Sequence, residues 1–281
     1  MSSIETAIPA LTDAALLRAR YGAEAVPQTA KLNEVLRSLL AHRTVRAYLP
    51  ESLPPGTLET LVAAAQSAAS SSNLQLWSVI AVEDAGCKAR LAQIANRQAH
   101  IEQAPLLLVW LADLSRADRL DAARGLTMEG GDYLESFMVA AIDAALAAQN
   151  AAAAAESMGL CTCYIGALRN DPERVAAELG LPPRAMALFG LCVGRENPAR
   201  PAEIKPRLPQ SAVLSRERYS PQDELELVAR YDKTVAAFSR TQGMGDVSWS
   251  DRVFARLGSY KGLYGRERMR AALKALGFDL R

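Results

Sequence analysis

The chain has 281 residues, half of them hydrophobic and 22% charged, with 32 Lys plus Arg against 31 Asp plus Glu for a net charge of +1. That balance excludes a basic footprint for nucleic acid or a polybasic membrane surface, and the hydrophobic content excludes intrinsic disorder. The length suits one large domain or the protomer of a symmetric dimer. The N-terminus has no basic segment followed by a clean apolar core, so no signal peptide is expected and the chain reads as cytoplasmic.

In chain order, Thr12 or Asp13 can cap a first helix through LLRARYG, and Thr29 or Asn33 a second through Leu36, Leu39 and Leu40. Thr57 opens a third helix. Trp77 to Val82 and Leu106 to Leu111 are short continuous apolar runs, which predict strands buried on both faces, with a polar helical stretch around Lys88 to Ala95 between them. From Gly131 to Met158 the chain is alanine-rich and apolar on every side, so it predicts a helix covered by neighbours or by a symmetry mate. Its longest uncharged run, Ala144 to Ala155, is too short for a bilayer, which needs about 20 residues. Gly159 ends this helix. Strands follow at Cys161 to Ile165 and Leu188 to Val193, flanking a helix opened by Asp171-Pro172, where Pro suits the first helical position. A charged helix (Pro221 to Arg240), a glycine-bearing loop (Gly243 to Trp249) and a basic amphipathic helix complete a layered α+β pattern. The four cysteines, with Cys161 and Cys163 in a C-x-C, match neither zinc nor redox spacing and are expected to be buried, reduced thiols.

Four segments can carry chemistry. His42-Arg43-Thr44-Val45-Arg46 gathers three potential cations and a hydroxyl that can surround a phosphate, or it is a solvated charged loop. Ser70-Ser71-Ser72-Asn73-Leu74-Gln75 can hydrogen-bond a polar chain, although ordinary turn chemistry explains its composition equally. Tyr164-Ile165-Gly166-Ala167-Leu168-Arg169-Asn170 brings small residues to a strand-to-helix junction, where backbone N–H groups can meet a flat ligand or simply form a connection. In Lys205-Pro206-Arg207-Leu208-Pro209 the prolines hold the chain extended, so two cations project from one face as a preorganised anion site or as solvated linker charges. G-x-G-x-x-G, Walker A, G-x-S-x-G and H-E-x-x-H are all absent, and only two histidines exist, His42 and His100. The balance favours chemistry carried by a bound cofactor.

Taken in order, HRTVR, SSSNLQ, YIGALRN and KPRLP resemble the nitroreductase–flavin reductase family, in the subgroup of the major oxygen-insensitive NADPH nitroreductase. AAQNAAAAAESMGL, LFGLCVG and the WSD at Trp249 to Asp251 agree, and the likeness runs from about residue 35 to 255. It implies an α+β homodimer with a central, mainly antiparallel sheet flanked by helices. Residues 1–34 would then be an N-terminal helical extension, and 35–281 an FMN-binding domain with a C-terminal helical excursion. Carried over by motif, His42, Arg43, Thr44 and Arg46 meet the phosphate and ribityl side of FMN, and Ser70, Ser71 and Ser72 are the serine cluster. Gln98 lies near the ring edge, and Tyr164, Ile165, Gly166 and Ala167 line the ring with backbone N–H toward flavin N5. Lys205 sits by N1 and O2 as the catalytic cation, and Arg207 at the phosphate. The implied activity is ping-pong hydride transfer from NADH or NADPH through FMN to nitroaromatics, quinones or free flavin. A member specialised on one metabolite and a redox-idle flavin carrier remain alternatives. Two departures matter. The loop Thr241 to Ser248 lacks the arginines that hold the extra phosphate of NADPH and carries Asp246, so NADH use is plausible unless Arg240, Arg252 or Arg256 substitutes. Asn73 replaces an aromatic residue common in relatives, which implies a more polar acceptor pocket.

Overall fold

The computed structural model describes residues 11–281, so the first ten residues of the expected N-terminal extension lie outside the described residues. The helices α1 (Asp13–Tyr21), α2 (Glu34–Ala41) and α3 (Thr57–Gln66) come first. Strand β1 (Trp77–Val82), helices α4 (Ala85–Ile94) and α5 (Ala99–Gln103), strand β2 (Leu106–Asp113) and α6 (Ser115–Arg124) follow. The long α7 (Leu134–Ser157) leads to β3 (Cys161–Ile165), α8 (Pro172–Leu179) and β4 (Ala185–Gly194). Helices α9 (Glu224–Thr241), α10 (Trp249–Leu257) and α11 (Met269–Ala275) end the chain.

Local chemistry sets the boundaries. Thr12 caps α1 and Asn33 caps α2, each accepting from a backbone N–H three residues on. Asp171 caps α8 with Pro172 at its first position. Ser248 and Asp251 form a reciprocal capping box that starts α10, a helix the sequence pattern did not signal.

The strands form one antiparallel sheet in the order β1-β2-β4-β3, with Leu108 opposite Leu191 and Cys163 opposite Cys192. Every residue of β2 is buried, as its unbroken apolar run requires. Gly190 and Gly194 of β4 allow close packing there: a Cβ at Gly190 would lie 2.8 Å from Leu107 Cδ1, and one at Gly194 2.7 Å from the Pro105 ring. One face of the sheet packs Leu106, Leu108, Trp110 and Leu191 against α3 and the alanines of α7, including Ala147, Ala148, Ala151 and Ala155. Small side chains let α7 lie close to the strands. A second cluster joins Met186, Leu188 and Ala140 to Leu273 and Phe278 near the C-terminus.

The described chain divides into two compact units. The sheet unit comprises Thr44–Pro201 and Tyr260–Arg281, and a helical unit comprises the described residues up to Arg43 with Ala202–Ser259. The central helix is covered by neighbours over part of its circumference, and Leu134, Met138, Ile142 and Leu146, spaced by one turn, are 43–54% exposed in the single chain, the face that the symmetry-mate alternative would cover. Two sequence expectations need correction. The helix as a whole, Leu134–Ser157, has the length and hydropathy to cross a bilayer although its longest uncharged run is too short; its alanines packed on the sheet are those of a core helix. Of the cysteines, Cys163 and Cys192 are buried as expected, but Cys87 and Cys161 are only half-buried.

Candidate functional site

In the sheet unit, the segment after Arg43 runs along the edge of β3. The Val45 N–H donates to the Thr162 carbonyl at 3.1 Å, and Tyr48 bridges Glu196. Val45 and Ala47 are buried. The two-residue period of extended chain therefore turns Thr44 and Arg46 the other way, with Arg46 exposed.

The serine loop is strained and braced. Ser72, Asn73 and Gln75 have φ of 48°, 55° and 51°, and Asn96 and Arg97, just before Gln98, have 58° and 55°. These five are half of the ten non-glycine residues with positive φ among the described residues, and they flank two of the predicted contact segments. Such strain persists where surroundings hold it and concentrates at functional sites. Here the holder is Asp143 of α7, 1% exposed. Its carboxylate accepts from Ser70 Oγ at 2.7 Å and from the Ser71 N–H at 3.1 Å, while Ser70 Oγ accepts from the Gln75 N–H at 2.9 Å. The Ser70 hydroxyl is thus engaged within the loop, and the exposed Ser71 and Ser72 are the hydroxyls turned outward.

Gln98 stands at the start of α5, which carries His100, and its side chain makes no capping hydrogen bond. Burial, and secondarily the charge of Arg46, push the His100 imidazole down to about 4, and its Nε2 has no hydrogen-bond partner among the described residues. Beyond β3 the chain enters a single helical turn, Gly166–Asn170, whose opening N–H groups at Gly166 and Ala167 have no partner within that turn. Ile165 and Ala167 are buried, whereas Tyr164 is 38% exposed and packs edge-on to Phe189. Arg169 donates to the Leu188 carbonyl, and Arg266 donates to Asn170 Oδ1 at 2.9 Å, so the C-terminal segment braces this turn. Thr44, Arg46, the serine loop, Gln98 and the Tyr164–Ala167 junction therefore belong to one unit, each fixed separately to β3, α7 or α5.

The helical unit carries His42, Arg43, Lys205 and Arg207. No helix or strand forms over residues 201–209, as the prolines predict. Pro206 is buried, its carbonyl accepting from the Tyr231 hydroxyl at 2.9 Å, while Lys205 is half-buried and Arg207 exposed. Burial raises the Tyr231 hydroxyl, with a lesser push from Asp232, while Arg207, Arg252 and Arg20 pull it back. Beside the loop before Trp249, Arg240 of α9 is paired to Asp246 at 2.5 Å, and Arg252 of α10 donates to Ser239 Oγ at 3.0 Å.

Sequence reasoning missed Asp143, His100 and Arg20. Asp143 left a signal, the one carboxylate midway along an alanine-rich helix whose other charges, Glu135 and Glu156, stand at its ends. Arg20 left none, since it acts on carbonyls far along the chain.

A nitroreductase family model matches residues 39–195, and the model of that family's C-terminal domain matches residues 205–281. The chain is 39% identical over 253 residues to an FMN reductase [NAD(P)H] of Bacillus subtilis, covering 89% of this chain and 99% of that protein. It is 36% identical over 226 residues to the oxygen-insensitive NADPH nitroreductase of Salmonella typhimurium, covering 79% and 90%. The solved NADPH:FMN oxidoreductase of Vibrio harveyi, complexed with NAD+, superposes with a TM-score of 0.79 at 32% identity over 89% of this chain and all of that one. The chain belongs to the nitroreductase family.

Proposed function

We propose that this protein is an FMN-dependent NAD(P)H oxidoreductase that reduces nitroaromatics, quinones or free flavin. The observation that carries the reading is the Lys205-Pro206-Arg207 segment, whose buried central proline and tethered carbonyl hold two cations on a stiff backbone. An anionic phosphate, a polar ribityl chain and a flat ring call for cations, hydroxyls and backbone N–H donors. Arg46, Thr44, Ser71, Ser72 and the Gly166 and Ala167 N–H groups supply those types, so the residues fit the cofactor.

FMN, when bound, supplies the two-electron relay between nicotinamide and an electron-poor acceptor. The Lys205 ammonium would offset negative charge at the cofactor's pyrimidine edge, a preorganised electrostatic role. His42, Arg43 and Arg207 would hold the phosphate, and the N–H groups of Gly166 and Ala167 would orient the ring. With Arg240 bound by Asp246 and Arg252 occupied locally, a 2′-phosphate meets no ready partner in the Thr241–Ser248 loop. NADH is therefore served at least as well as NADPH, and a protein bleached by neither would favour the redox-idle alternative. The exposed stripe of α7 supports a homodimer, because four large apolar side chains on one helical face suit burial against a second copy. Balanced charge, with no basic footprint for nucleic acid, supports an enzyme acting on small molecules.

The two cations should separate by function. Lys205→Ala is expected to slow flavin reduction by about 100-fold while FMN retention changes little, and Arg207→Ala to release FMN first, judged against the ~2–4 kcal/mol typical of such contacts. Stopped-flow bleaching and flavin retention on a desalting column measure both. Equal loss of both properties in Lys205→Ala would contradict its role.

A further inference from the structure

Helix α1 precedes the family match, which begins at residue 39, and the whole Vibrio harveyi relative is matched by 89% of this chain. Its last turn is nevertheless tied into the segments that carry the anion-binding cations. Arg20 is 6% exposed, a degree of burial that arginine tolerates only when its donors are engaged. Its Nη1 donates to the Lys205 carbonyl at 2.8 Å, and its Nη2 donates to the carbonyls of Leu40 at 2.8 Å and His42 at 2.7 Å. The Arg20 carbonyl in turn accepts the Arg207 N–H at 2.8 Å. A planar fork of donors suits this convergence, and a lysine could not reproduce it.

We infer that Arg20 is a positioning residue of the flavin phosphate site, fixing the backbone at His42 and at Lys205–Arg207 so that their cations are set before the ligand arrives. The inference rests on the assignment of those cations to FMN made above. Three considerations support it. The Leu40 carbonyl lies in the last turn of α2, where carbonyls lack helical partners, so a guanidinium there both satisfies an acceptor and complements the helix dipole. Cations drawn together without their anion repel one another, so their spacing must be held through the backbone. Ordering the two segments in advance removes an entropic cost that binding would otherwise carry. The extension thus stabilises the binding-ready form of segments that the family supplies.

The test compares FMN with riboflavin, which lacks the phosphate, by fluorescence titration of flavin-stripped full-length protein. Wild type should prefer FMN. Arg20→Met should weaken FMN by about tenfold or more, as expected for losing charge-assisted hydrogen bonds, with riboflavin affinity nearly unchanged. Arg20→Lys should fall between, by about threefold, and carries the test if Arg20→Met does not fold. A lower melting temperature with an unchanged FMN-to-riboflavin ratio, or a parallel loss of both flavins, would overturn the positioning role. A wild-type protein that binds both flavins equally would instead defeat the phosphate assignment, and the inference with it.

Discussion

The sheet unit and the helical unit are built on different principles. In the first, β2 and β4 run through a continuous apolar core, with Trp110, Leu108 and Leu191 at 0–1% exposure against the alanine face of α7. In the second, α2 and α10 bury no residue fully, while Phe254 and Leu257 stand 73% and 70% exposed. Its cation-bearing segments are held by polar ties instead, from Arg20 and Tyr231 to main-chain carbonyls. Apolar burial is non-directional and gives stability, whereas hydrogen bonds fix backbone geometry. The sheet unit therefore bears the fold, and the helical unit carries charge on a backbone fixed by hydrogen bonds.

The largest effect that could break this contrast is in the core. Trp110→Ala should destabilise the sheet unit by about 3–5 kcal/mol in urea unfolding, while Leu17→Ala in α1 should cost nearer 2 kcal/mol. Similar losses at both positions would erase the distinction. Next is the face of α7 left uncovered in the single chain. Ile142→Glu places a charge in the exposed apolar stripe and should yield a monomer in light scattering, with FMN retention lost alongside. A dimer that persists would remove α7 from the interface.

Asp143 sharpens the comparison, being a polar tie inside the apolar unit. Asp143→Ala should leave Ser70 and the Ser71 N–H unsatisfied, cost about 1–3 kcal/mol, and weaken FMN binding through the strained loop. Asp143→Asn, which keeps one acceptor, should recover part of both. His100 adds an effect confined to acid pH. Its imidazole stays neutral in the fold down to about 4, against 6.5 ordinarily. As pH falls through that window the unfolded chain takes up a proton that the folded one refuses, so stability declines, and below it this group adds no further slope. A melting-temperature profile should show that decline in wild type and a shallower one in His100→Asn.

Much of this architecture was legible in the amino-acid order. The strands at Trp77 and Cys161 begin and end as the apolar runs do. β4 starts three residues before the run at Leu188, because Ala185 to Ala187 pair with the end of β2 past a bulge at Trp110/Leu111, a non-local event. The α10 start is weakly marked because its periodicity is short, although Ser248 and Asp251 stand at capping-box spacing. The cation and serine segments were readable as motifs. What supports them was not, because Arg20 and Asp143 act on partners 185 and 73 residues away that no local pattern marks.

The central claim is best tested by anaerobic titration of the purified, flavin-bearing protein with NADH and, separately, NADPH. Loss of the flavin absorbance with NADH at least as efficiently as with NADPH is the predicted result. An FMN-bearing protein that neither nucleotide bleaches would contradict the assignment as a working oxidoreductase.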